Sequence, residues 1–300
     1  MLGEFEDNIK QMGDTAEMPN TEILIDTTIV EFISLKAPEI YEKASVAPVD
    51  AYYYRDGASK KSQIKIADHV AGKSLDAEKL NDIVRRINYG ENIPYAELPY
   101  VYTNPAVTSD LLKEKLFSDT INQTRSVNKE DSYSVSGWVG VEERSVNMQK
   151  AANAFGQVML LSGESISFFE AVGAVNSRSN YVQAYENVEN GGIKIVGGGI
   201  SQVASALYTA AVKSGLEISL HYNNTYYPNY GLIGFDAYVS SDEDRDLVIK
   251  NTRDYPVSVK IEYSDNIITV TVDATDNGAS AVSLSVVELS AKVEPDGVKY

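Results

Sequence analysis

Val196-Gly-Gly-Gly-Ile-Ser-Gln-Val-Ala-Ser-Ala-Leu-Tyr208 sets three consecutive glycines directly before a run with helical spacing. Glycines let the backbone take positive φ and approach a neighbour or ligand closely. The run from Gln202 to Ser214 reads as a helix, closed by Gly215 at the position where helices end in the left-handed region. The start of such a helix offers unpaired N–H groups and a partial positive charge, which suit an anion or the oxyanion of acyl transfer. Ser201 stands at the junction and admits two roles. It reads as the helix N-cap, for which serine is a leading residue, or as a nucleophile backed by helix N–H groups. Spacing alone favours the cap. No lysine follows the glycines, which excludes a Walker A phosphate loop.

Upstream of this helix the pattern predicts another across 145–159, where Val146, Met148, Ala152, Phe155, Val158 and Met159 form an approximate apolar stripe. A turn at Ser162-Gly-Glu164 precedes a predicted strand over 165–169. Downstream, 235–239, 246–250, 257–263 and 267–272 read as strands separated by polar turn clusters, the pattern of an antiparallel meander. Residues 1–105 form a second set. Strands are expected over 50–54 and 63–66 around the Asp56-Gly57 turn, then a helix from Ala77 to about Ile87 capped by Ser74 or Asp76, then a strand over 93–98. The stretch 106–133 is polar with mixed charge and reads as a linker with one short helix over 109–117. The expectation is therefore an α+β protein of two domains, 1–105 and 134–275, with a C-terminal extension over 276–300.

The 300 residues hold 26 basic and 43 acidic side chains, a formal net charge of −17. Such a chain repels a phosphate backbone, and the short pairs Lys60-Lys61 and Arg85-Arg86 make no basic patch, so no nucleic-acid partner is expected. With no cysteine there are no disulfides, thiolate metal sites or cysteine nucleophile. The two histidines, His69 and His221, lack the spacing of a metal motif, so neither a metal nor a cofactor is expected. Twenty tyrosines suit wet binding faces, because tyrosine pairs an apolar ring with a polar tip. The cluster from His221 to Tyr230 is rich in tyrosine and asparagine and reads as a loop of the kind that contacts glycan or peptide, or as an ordinary ordered loop. His221 is a candidate base for Ser201, although a lone histidine is more often structural. The sequence leaves the oligomeric state open.

Arg144 and Asn147, the run Ser162 to Phe169, Gly173, Asn180-Tyr181 with Ala184, Gly197 to Gln202, Leu207-Tyr208, Gly215 to Ile218, Tyr230, Gly234 with Asp236-Ala237, and Lys250-Asn251 before Tyr255-Pro256 follow one another in order. Through them the stretch 144–272 resembles the VanW family of bacterial cell-envelope proteins. The stretch 48–105, with Asp50-Ala51, Gly72 and Leu75-Asp76, is similar to the peptidoglycan-binding domain that often precedes VanW domains. The resemblance implies an extracytoplasmic protein, at the wall or anchored to the membrane, whose partner is the stem peptide or glycan of peptidoglycan. It implies a site that includes Arg144, Gly197, Gly198, Gly199, Gln202, Tyr208, Asn224, Tyr230 and Asp236. Some VanW domains act as L,D-transpeptidases with a cysteine nucleophile. That cysteine position is Ser201 here, and the family's histidine position falls on Asn224. An alkoxide is harder to form than a thiolate, and Asn224 is no base. Peptidoglycan binding with a degenerate site is therefore placed ahead of an L,D-transpeptidase-like enzyme using Ser201 with His221 as base. A third reading is an adhesion module that binds a partner through its tyrosine-rich loops.

Overall fold

The computed structural model describes residues 22–23, 42–94, 96–128, 141–186, 193–225, 228, 230–231, 234–275, 292–294 and 297–299. Helices and antiparallel sheets occur together, as the α+β expectation requires. The described residues divide into two compact units, one reaching to Tyr52 and resuming from Ile66 to Leu112, the other made of Tyr53–Lys65 and everything from Lys113 onward.

In chain order the first elements are β1 (Glu22–Ile23), β2 (Tyr52–Tyr54), β3 (Lys65–Ala67), β4 (Gly72–Leu75), α1 (Ala77–Asn88), β5 (Ala96–Glu97), β6 (Tyr100–Thr103) and α2 (Ser109–Lys115). Of the two expected caps for α1, Asp76 takes the role, its carboxylate accepting from the Lys79 N–H at 3.1 Å. Leu80 and Ile87 bury the inner face of that helix. β4 pairs antiparallel with β6, and β1 with β5. His69 is structural in this unit: its Nδ1 accepts from the Ser109 N–H at 3.1 Å, while its own backbone N–H donates to Ser109 Oγ.

The second unit contains β7 (Asp119–Val127), α3 (Val141–Phe155), β8 (Gln157–Leu160), β9 (Ser165–Ser167), α4 (Phe168–Val172), β10 (Gln183–Glu186), β11 (Ile193–Val196), α5 (Ile200–Lys213), β12 (Glu217–Leu220), β13 (Val248–Lys250), β14 (Val257–Ser264) and β15 (Ile267–Ala274), with a small pair β16 (Lys292–Glu294) and β17 (Gly297–Lys299) beyond. A four-stranded antiparallel sheet in the order β7-β15-β14-β8 forms its base. The register aligns Val158 and Leu160 with Val259 and Val257, and Ile261 with Val270, so these side chains share one face. α3 and α5 cover that face. Met148, Ala151, Ala152 and Phe155 of α3, spaced as one helical stripe, meet Val203, Leu207 and Ala210 of α5 in the core. α5 is buried nearly all round, which makes it the central helix of the unit.

Several boundaries differ from the sequence reading. The helix expected over 145–159 spans Val141–Phe155; Gly156, at φ +59°, stops it, and the apolar run that follows joins the sheet as β8. The strand expected over 165–169 ends at Ser167, whose hydroxyl accepts from the Glu170 N–H and caps α4. Within the expected linker 106–133, β7 supplies a full strand against β15, and its polar alternation is that of an edge strand with one wet face; residues 129–133 lie outside the described residues. The meander breaks too. β14 and β15 form a hairpin in the four-stranded sheet, whereas β13 lies between β12 and β9 in another. Residues 53–65 belong to the second unit, not the first. There Arg55 pairs with Glu164 at 3.0 Å and donates to the Met159 carbonyl, and the Lys60 carbonyl accepts from the Met159 N–H at 2.7 Å. The expected extension from 276 falls outside the described residues up to β16.

Candidate functional site

The triple glycine is a packing corner. Gly197, Gly198 and Gly199 are all buried, and they let three backbones meet. A β-carbon on Gly198 would stand 2.3 Å from the Ala184 carbonyl oxygen of β10. Gly199 has φ +106° and faces Met148 and Arg144 of α3. Asn147 ties the corner together: its Nδ2 donates to the carbonyls of Val182 and Gly198 at 3.0 Å each, and its Oδ1 accepts from the Val182 N–H at 2.9 Å. Beside it Arg144, 2% exposed, donates to the Tyr185 carbonyl and to Gln202 Oε1, both at 2.9 Å. Gln202 donates in turn to Ser126 Oγ and the Val127 carbonyl of β7, and Ser126 Oγ donates to the Tyr230 carbonyl at 3.2 Å. Thus Arg144, Gln202 and the Tyr230 backbone form one buried polar network that joins α3, α5 and the edge of the sheet.

Ser201 is not the N-cap. Gly199 holds that position without a side-chain cap, α5 begins at Ile200, and Ser201 lies inside the first turn. Its hydroxyl has another employment. The segment 235–239, expected as a strand, pairs with no strand among the described residues and runs along α5, held by three helix hydroxyls. Ser201 Oγ meets both the carbonyl and the N–H of Val239 at 3.4 Å. Ser205 Oγ accepts from the Ala237 N–H at 2.8 Å and lies 3.2 Å from the Ala237 carbonyl. Thr209 Oγ1 donates to the Phe235 carbonyl at 3.1 Å. The spacing explains the match: four helical residues advance about 6 Å, and two extended residues about 6.4–6.8 Å. Ser205→Ala leaves the Ala237 N–H buried without an acceptor and is expected to lower unfolding free energy by about 1–3 kcal/mol. Urea titration against Ser201→Ala checks this, since the longer Ser201 bonds give a smaller loss.

The outer edge of the same segment meets the 221–224 loop. His221 Nε2 lies 2.7 Å from the Asp236 carbonyl, which accepts only, so that nitrogen carries the proton. Its ring stacks on Tyr208, with centroids 4.1 Å apart and planes 10° from parallel. Tyr208 is seven residues beyond Ser201, about 10 Å along the helix axis. The Asp236 carboxylate, 1% exposed, accepts from the Asn224 backbone N–H at 2.7 Å and from its Nδ2 at 2.8 Å. Burial, with the nearby Asp236 charge second, pushes the Tyr208 hydroxyl above its ordinary range.

The residues singled out in the sequence therefore fall into two clusters along α5. Arg144, the three glycines, Gln202 and Tyr230 gather at its start, where Ser201 also lies; Tyr208, His221, Asn224 and Asp236 gather further along. Sequence reasoning missed Ser205, Thr209 and Ser126. The signal for the first two was present: hydroxyls at 201, 205 and 209 form a polar stripe with a four-residue repeat on a mostly apolar helix. Among the described residues no group of three or more His, Asp or Glu side chains is gathered as a metal centre requires.

Residues 143–272 match the family described as VanW like protein, so the chain carries a VanW-like domain. The chain is also similar to the uncharacterized protein YoaR of Bacillus subtilis (strain 168), 27% identical over 191 residues. That match takes in 63% of this chain and 58% of the relative, so the chain spans less than two thirds of that protein's length. No solved structure matches it.

Proposed function

We propose that the protein binds peptidoglycan in the bacterial cell envelope and performs no acyl transfer. The VanW-like domain supports the cell-envelope reading. The observation that carries the non-catalytic part is the state of Ser201. Its hydroxyl is 2% exposed and bonded to the Val239 backbone, while His221 is held on Asp236 and Tyr208 two helical turns away. A serine nucleophile requires a base within about 3 Å or one water of its hydroxyl. Among the described residues no helix is long and apolar enough to cross a membrane, so attachment to the envelope would rest on wall contacts or on chain outside them.

Purified protein is expected to sediment with isolated sacculi and to give neither crosslinked dimer nor released D-alanine from disaccharide tetrapeptides in mass spectrometry. Protein that stays in the supernatant overturns the binding reading, and crosslinked product from the native chain overturns the non-catalytic one. The transpeptidase reading has one observation in its favour: Asp236 seats Asn224 as a carboxylate would seat a catalytic histidine. Ser201→Cys with Asn224→His tests whether that geometry alone restores turnover; the expected result is no product, because residue 201 stays covered by the 235–239 segment.

A further inference from the structure

The tip of the β2–β3 hairpin, Arg55-Asp-Gly-Ala-Ser-Lys-Lys-Ser-Gln63, carries three cations and one acid in a chain whose formal net charge is −17. The acid, Asp56, pairs with Lys65 of β3. Each of the three cations meets a different polar feature of the second unit, to which the tip belongs. Arg55 donates to the Met159 carbonyl and pairs with Glu164 at 3.0 Å. Lys60 pairs with Glu170 at 2.8 Å. Lys61 Nζ donates to the carbonyls of Ala154 and Ala171, in the last turns of α3 and α4. Helix ends leave such carbonyls without a helical partner and carry partial negative charge, which favours an ammonium between two of them.

The tip also closes a sheet edge. β8 ends the order β7-β15-β14-β8, and an edge strand presents backbone N–H and C=O groups that no further strand takes up. Met159 of β8 gives both to the tip: its N–H donates to the Lys60 carbonyl at 2.7 Å, and its carbonyl accepts from Arg55. What holds the tip there is polar. Its one apolar residue, Ala58, is exposed, so no buried hydrophobic side chain anchors 55–63. Glu170 is half exposed in its pair with Lys60, and ion pairs in water are weak and screened by salt. The Arg55 side chain is 3% exposed, yet its Nε and Nη1 have no hydrogen-bond partner among the described residues. A buried guanidinium with two unpaired nitrogens carries a desolvation cost that water removes. Weak screened contacts and a buried charge that gains from hydration both make local opening easier than global unfolding.

We propose that residues 55–63 form an electrostatic latch over the β8 edge, which opens as ionic strength rises, uncovers the Met159 N–H and carbonyl, and leaves the second unit folded. The latch is independent of the peptidoglycan reading, since it rests on contacts within the chain.

The test is amide hydrogen exchange on the ¹⁵N-labelled full chain at constant pH, read at Met159 and, inside the same sheet, at Ile268 and Val270 of β15. Raising sodium chloride from about 50 mM to about 500 mM is expected to speed exchange at Met159 about tenfold and to leave Ile268 and Val270 within about twofold. Lys61→Met keeps most of the stem and removes the ammonium. It is expected to speed Met159 about tenfold at the lower salt, again without moving the β15 amides, and to flatten the salt dependence. Met159 exchanging no faster than Ile268 and Val270 at either salt overturns the proposal, because the tip would then open only with the whole unit. So does a Met159 rate that salt leaves unchanged, or one that Lys61→Met raises no more than it raises the β15 rates. The salt series on the native chain decides the question even where the variant fails to fold.

Discussion

Gly198→Ala is expected to destabilise the second unit by about 3 kcal/mol or more, the upper range for overpacking a core. The added methyl would meet backbone, not a side chain that can swing away: the Ala184 carbonyl oxygen at 2.3 Å, its carbon at 2.6 Å and the Tyr185 carbonyl oxygen at 2.9 Å. Relief requires moving β10 outward, and β10 is held on both sides. It pairs with β11 through Ala184 and Ile195, and it is pinned next door by Asn147 on Val182 and by Arg144 on Tyr185. A shift that accommodates one methyl therefore strains both side-chain ties. The melting temperature should fall by about 6–12 °C for a unit of this size. Gly231→Ala is the control, since a β-carbon there meets nothing within 4 Å, and it should stay within about 0.5 kcal/mol of the native chain. A drop for Gly198→Ala no larger than the control's would mean that the corner is looser than its contacts imply.

Arg144→Met should cost about 3–5 kcal/mol in urea unfolding followed by far-ultraviolet circular dichroism. Methionine fills much of the same volume, so the loss comes from polar atoms left behind. The Tyr185 carbonyl and Gln202 Oε1 each lose a donor at 2.9 Å, at about 1–3 kcal/mol per buried group. Arg144→Lys should rescue little, because one ammonium cannot reach two acceptors with the reach of a planar fork. Combining Arg144→Met with Gln202→Met should cost less than the sum of the two single changes, as for any pair that shares a bond. Strict additivity would show that the network is not one unit.

The sequence made the layout of the second unit legible where pattern and geometry coincide. The helix behind the glycines, the hairpin 257–274 and the α3 stripe are all visible as periodicity, because each contributes apolar side chains to the same core. What it concealed depended on long-range pairing. β7 looks polar because it is an edge strand, and its partner β15 lies some 150 residues on. The hairpin tip at 53–65 reads as local structure, and long-range ties such as Arg55–Glu164 and the Met159 N–H to the Lys60 carbonyl show where it belongs. At the candidate site, the glycines were correctly read as allowing close approach, but what approaches is β10 and α3. Spacing favours Ser201 as a cap over a nucleophile because serine is a leading residue at the start of an apolar helix. Gly199 takes that place because its positive φ is what the corner demands, and a glycine has no side chain with which to cap.

The helix and the 235–239 segment behave as two rulers with unequal divisions. Each step along the helix falls short of the matching step along the extended chain by about 0.4–0.8 Å, so the two scales stay aligned for only a few marks. The best alignment is in the middle, at Ser205, and the loosest is at the Ser201 end, where both contacts have stretched to 3.4 Å. Slack of that kind selects by atomic radius. A sulfur atom, larger than oxygen and content with longer contacts, would crowd the backbone less at 201 than at 205. The register of this vernier thus makes 201 the least crowded of the three hydroxyl positions on the helix, and it is the position where chemistry would distinguish a hydroxyl from a thiol most.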